Sequence, residues 1–205
     1  MSSLRRLGDA ARPAQPSANG VPQPVERCEL CETTLPIEHR HMIHLDERRL
    51  LCVCDACWAL RSDDPELRPA GVRTLWLDEL EVPDELWARF EIPIGLAFFL
   101  RNGADDSIVA LYPSPAGATE SEIDAEAWEQ LVQLNPVLRR LVPDAEGMVA
   151  NRMGDARQYT IVPIDECYRL VGMIKASWEG ISGGEGPERA VEEFFSELRR
   201  KETVA

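Results

Sequence analysis

Hydrophobic and polar positions along this chain follow two periodicities, one of two residues and one of three to four, and the switches between them mark its elements. HRHMIHL (39–45) and LLCV (50–53) are short strand-like runs separated by the charged DERR, which predicts a hairpin turning near Asp46–Arg49. TLWLDEL (74–80) reads as a strand. VPDELWARF then places Pro83 at a helix start, with Leu86, Trp87 and Phe90 on one face. PIGLAFFL (93–100) and SIVALYP (107–113) flank RNGADD, a turn cluster, and predict a second hairpin. From Ile123 to Leu141 the positions Trp128, Leu131, Leu134, Leu138 and Leu141 recur at helical steps. Pro136 interrupts this run and predicts either a kink or a second short helix with proline at its first position. GMVANRM (147–153) and QYTIVPI (158–164) form a third hairpin around Gly154-Asp155. Asp165 is placed to cap the helix ECYRLVGMIKASW, whose face carries Leu170, Val171, Ile174 and Trp178. The loop GISGGEG precedes the last helix, PERAVEEFFSELRRK, acidic at its start and basic at its end as the helix dipole favours. This order predicts an α+β fold, an antiparallel sheet with helices packed on one face.

The same pattern divides the chain. Residues 1–25 are rich in Pro, Ala, Ser and Gln, show no apolar periodicity and predict a disordered N-terminal tail. A small module follows at 26–62, SDDPELRPAGV (62–72) has the composition of a linker, and 73–203 forms an acidic α+β domain.

Composition changes the picture at one place. The stretch from Cys28 to Cys57 holds five of the six cysteines and all three histidines of the 205 residues. Two pairs, Cys28-x2-Cys31 and Cys54-x2-Cys57, can each offer two thiolates to one side of an ion, the spacing of a structural zinc site. Iron in the same four thiolates, as in a rubredoxin-like electron carrier, is the alternative. Knuckle, hairpin and a helix opened by the second pair give the order of a treble clef or zinc ribbon. Cys52 falls on the same strand face as Cys54 and could replace it, although Cys52-x-Cys54 lacks the knuckle spacing and favours a packed thiol. His39 and His41 share a strand face, with His44 on the other. With Cys52 they either build a second metal site or stand half-exposed on the hairpin and hydrogen-bond the ligand sulfurs.

Charge narrows the partners. Residues 1–62 carry eight Lys/Arg and eight Asp/Glu, whereas residues 63–205 carry fourteen against twenty-eight and hold the whole net charge of −14. An acidic body without a basic stripe disfavours nucleic acid, and with it a zinc-ribbon regulator that binds DNA. No apolar run approaches a membrane span, and MSSLRRLGDAARPAQPSANG lacks the apolar core of a secretory signal. A cytoplasmic protein is expected, in which paired thiols hold metal rather than form disulfides. Cys167, alone in IDECYRL, reads as a small buried hydrophobe.

The catalytic inventory outside the cysteine stretch is thin, with no histidine, no P-loop, no GxGxxG and no GxSxG. Asp165, Tyr168, Arg169 and Trp178, beside Ser182-Gly183-Gly184, form the nearest candidate for a ligand or partner patch. Each also suits a plain role as cap, core-edge aromatic or turn.

The blocks CELC…HRHMIHLDERRLLCVCDAC and VPIDECYRLVGMIKASWEGISGG, with FFSELRR, resemble an uncharacterised actinobacterial family. That family is associated with the accessory genes clustered around [NiFe]-hydrogenases. The resemblance implies a cytoplasmic protein with a role in the assembly or function of a hydrogenase. It supplies no catalytic residues. The closed metal site and the thin catalytic inventory predict a non-enzymatic accessory protein, docking on a hydrogenase subunit or maturation factor.

Overall fold

The computed structural model describes residues 25–47, 49–121, 123–179 and 184–202. The expected disordered tail, but for Val25, lies outside these residues, as do Ser182 and Gly183. The chain divides into two compact units, the first ending at Leu67 and the second beginning at Arg68.

In the first unit, β1 (Arg40–His44) and β2 (Arg49–Val53) form an antiparallel hairpin in which Met42 pairs with Leu51 and His41 with Cys52. The helix α1 (Asp55–Arg61) follows β2 directly. A short strand, β3 (Leu67–Pro69), starts at the last residue of this unit and runs across the boundary, giving the sheet order β2-β1-β3, so part of the stretch that reads as linker is strand. Six buried residues make the core: Cys28, Leu35, Met42, Leu51, Val53 and Leu67. One of the six is a cysteine of the metal pattern, so this unit has little apolar core besides the site.

The second unit is a six-stranded antiparallel sheet. Its strands are β4 (Leu75–Trp76), β5 (Leu96–Arg101), β6 (Ile108–Ser114), β7 (Gly117–Ser121), β8 (Glu146–Asn151) and β9 (Gln158–Pro163), in the order β4-β9-β8-β5-β6-β7. The helices are α2 (Asp84–Ala88), α3 (Ala125–Leu134), α4 (Ile164–Ser177) and α5 (Gly186–Glu202).

The mixed α+β class and the antiparallel pairing match the sequence reading, but the helices cover both faces of the sheet rather than one. Ala97, Phe99, Met148, Ala150 and Ile161 pack with Leu86, Phe90, Trp128 and Leu131. Their neighbours in sequence, Leu96, Phe98, Val149 and Val162, pack with Leu170, Ile174, Phe194 and Leu198 of α4 and α5. A sheet covered twice needs strands apolar at successive positions, and LAFFL, GMVA and YTIV are such runs.

Three local features complete the fold. Pro136 takes the second of its two predicted roles: α3 ends at Leu134, and Pro136 opens a 3-10 turn over Pro136–Arg140. Helix α4 starts at Ile164 with Pro163 at the cap, so Asp165 lies in the first turn, its carboxylate accepting from Glu166 N at 3.0 Å. Strand β7, in GATES, has no apolar alternation to announce it.

Candidate metal centre

Each half of the centre is shaped by its own backbone. Around the first knuckle, Cys28 N donates to Thr33 O at 2.8 Å and Glu32 N to Cys28 O at 2.7 Å. This tight turn requires Glu32 to adopt a φ of 64°, a conformation that suits glycine better. In the second knuckle Cys54 is the N-cap of α1, in extended conformation, and its sulfur accepts from Cys57 N at 3.4 Å. Trp58 N then closes the first helical turn on Cys54 O at 2.9 Å. The hairpin lies between the two knuckles in the chain.

Cys28, Cys31, Cys54 and Cys57 converge. Their sulfurs all lie within 4.8 Å of one another, and Cys31 Sγ is 3.7 Å from Cys54 Sγ. Four sulfurs at the vertices of a tetrahedron, each ~2.3 Å from a central zinc, would be about 3.8 Å apart. The four cysteines are therefore close enough to bind one metal ion, and the donor set fits zinc. A polynuclear iron–sulfur cluster would spread the sulfurs farther, because several irons and bridging sulfides would lie between them.

Burial across the site is uneven. Cys28 is buried, Cys54 and Cys57 are partly buried, and Cys31 is exposed. Hydrogen bonding with Thr33, whose Oγ1 is 3.4 Å from the Cys31 sulfur, brings that thiol's pKa down to about 6. Burial first, then hydrogen bonds among the sulfurs, pushes Cys57 up to about 12. Four thiolates packed this closely would repel one another, and a cation between them would offset that repulsion. Thr33 carried no signal in the sequence reading, lying outside the Cys/His pattern.

Among the described residues one further group has metal-ligand spacing: His39, His41 and Cys52 each offer a donor atom, all within 4.8 Å of one another. Cys52 is thus grouped apart from the four-cysteine set, and burial, first, with the Glu26 and Glu29 carboxylates raises its pKa. His44 does not join either group, and its Nδ1 accepts from Glu47 N at 3.3 Å.

The residues of the candidate patch on α4 are engaged by neighbouring side chains and by the core. Arg169 donates to Glu166 at 2.6 Å and to Glu197 of α5 at 2.9 Å, and its guanidinium lies 4.9 Å from the Phe194 ring centroid. Burial opposes that positive charge, but the two carboxylates outweigh it and raise the Arg169 pKa. The Tyr168 ring meets Phe98 edge-on, with centroids 5.9 Å apart, and Trp178 caps the C-terminus of α4 against the core. Cys167 is fully buried beneath β8, its pKa raised by desolvation.

The fold and the sulfur cluster together define an α+β protein with a four-cysteine metal-binding geometry in its first unit. Residues 27–202 match the family described as a family of unknown function (DUF5947), and the chain belongs to that family. No curated protein and no solved structure matches the chain. The family description carries neither the actinobacterial setting nor the hydrogenase association of the resemblance. Among the described residues no helix is long and apolar enough to cross a membrane.

Proposed function

We propose that one zinc ion held by Cys28, Cys31, Cys54 and Cys57 fixes the first unit, and that the chain acts as a non-enzymatic accessory protein that docks on a protein partner. The observation that carries this reading is the four-sulfur cluster itself. Four protein thiolates complete a tetrahedron and leave no position for substrate or water, which suits a structural ion rather than a catalytic one. The fourteen basic against twenty-eight acidic residues from 63 to 205 favour a protein partner over nucleic acid. The resemblance supplies the candidate: a hydrogenase subunit or maturation factor, met in the cytoplasm.

Two measurements test the two halves of the proposal. Metal analysis of chain produced without added zinc, read beside its visible spectrum, should give zinc and no colour. A red, iron-loaded protein would instead favour a rubredoxin-like electron carrier with the same four ligands. Affinity purification from the native host should then recover a stoichiometric partner, and turnover of a small molecule with no partner would overturn the docking role.

A further inference from the structure

We infer that the hairpin carries a second metal site, in which His39, His41 and Cys52 hold a zinc-class transition-metal ion through two imidazole nitrogens and one thiolate, with a fourth position open to an outside donor. The strands bring the three residues together. His41 and Cys52 are register partners on β1 and β2, and His39 precedes His41 by two residues. Cys52 uses both backbone groups away from β1, its N–H donating to the Glu29 carboxylate at 3.1 Å and its C=O accepting from Glu29 N at 2.9 Å. His41 and Cys52 are therefore a non-hydrogen-bonded pair, the kind whose Cα atoms stand only about 4.5 Å apart and whose side chains lie closest.

His39 supplies the observation that asks for an occupant. Its side chain is only 6% exposed, and its Nδ1 donates to Pro36 O at 3.0 Å with the Glu26 carboxylate 3.6 Å away. That bond sets the tautomer with the proton on Nδ1 and leaves a lone pair on Nε2, a nitrogen that is buried and has no hydrogen-bond partner. A histidine whose far nitrogen is held by a carbonyl or carboxylate, and whose near nitrogen carries an unused lone pair, is prepared as a metal ligand. The two rings are close and inclined, with centroids 4.8 Å apart at 56°. Imidazole and thiolate donors together select zinc, cobalt or copper(I) over calcium or magnesium. Three protein donors rather than four are the pattern of a site that accepts an exogenous ligand or releases its ion.

The inference does not depend on how the four-cysteine site is filled, and one titration separates the two. The metal-free full chain is loaded with excess Zn²⁺, freed of loose ion by gel filtration and analysed for zinc, with a parallel Co²⁺ titration followed by its sulfur-to-cobalt absorption. The wild-type chain is expected to retain two ions. Cys52→Ala and His41→Ala, at half-buried positions that tolerate truncation, should each retain one ion and keep the cobalt band of the four-thiolate site. A wild-type chain that shows the four-thiolate band and saturates at a single ion overturns the inference, as does a second equivalent that survives both substitutions. A wild-type chain without that band that still retains one ion, lost in Cys52→Ala and in His41→Ala, would overturn the reading of the first site and leave this one standing.

Discussion

Cys31 Sγ and Cys54 Sγ stand 3.7 Å apart although twenty-three positions separate them in the chain. They come from opposite ends of the hairpin, one from a turn with its own backbone bonds and the other from the cap of α1. An ion between them would close a loop that spans most of the first unit, and the unit's six-residue core would not close it as tightly.

Removing either sulfur should therefore release the ion and loosen the first unit while leaving the second folded. Cys31→Ser and Cys54→Ser are each expected to lose the four-thiolate cobalt band and the amide-exchange protection of β1 and β2. Protection in β5, β8 and β9 should persist. Loss of protection in both units together would show that the metal supports the whole chain.

Glu32 takes a left-handed conformation to close the first knuckle, and its carbonyl accepts from Arg27 Nη1 at 3.1 Å. A non-glycine residue in this region costs ~1–2 kcal/mol, part of which a glycine returns as extra freedom in the unfolded chain. Glu32→Gly should thus stabilise the metal-loaded first unit by up to ~1 kcal/mol, read as slower zinc loss to a chelator. Faster loss would mean that the Glu32 side chain contributes more than its backbone costs.

How much of this was legible in the sequence depended on whether the signal was local. The convergence of the four cysteines was legible because a knuckle fixes the spacing of its two sulfurs within four residues. The hairpin was legible because DERR separates two strand-like runs. The separate grouping of Cys52 was only half legible: the shared face with Cys54 could be read, but its pairing with His41 depends on strand register. Phe98 and Phe99 show the larger miss. Both are fully buried, one against Tyr168 and the α4–α5 layer, the other stacked on Trp128 at 5.3 Å in the opposite layer. Two adjacent buried aromatics on a strand already imply cover on both faces, and a one-sided sheet would have exposed one of them.

Asp124 caps α3, accepting from Glu126 N at 2.9 Å and Ala127 N at 3.2 Å, and Arg89 donates to it at 2.9 Å. The bond to Arg89, first, and these amides hold its carboxyl below the ordinary 3.8. A carboxyl depressed in the folded state stabilises the fold above its unfolded pKa, and that contribution fades as pH falls through the folded value. Urea midpoints of wild type and Asp124→Asn should differ at neutral pH, wild type being the more stable, and should converge as the pH drops below about 4. Curves that run parallel down to pH 2 would place the stabilisation outside this charge.

Gly147 of β8 lies where a Cβ would meet the Cys167 sulfur at 2.5 Å and Leu100 Cδ2 at 2.9 Å. Cys167 is completely buried, so α4 rests on β8 at this point with the sulfur in the space that glycine leaves. Overpacking of this kind costs roughly 1–3 kcal/mol, and backbone shifts would pass it to β5 and α4 alike. Gly147→Ala is expected to destabilise the second unit by that amount, and Cys167→Ala alone by less, since it removes one atom. In the double variant the missing sulfur admits the new methyl, so the combined loss should fall short of the sum by at least ~0.5 kcal/mol. Metal content should be the same in all four proteins, because Cys167 is remote in sequence from both clusters and belongs to neither. Strict additivity in the denaturation midpoints would mean that Leu100, rather than Cys167, sets the limit on residue size at position 147.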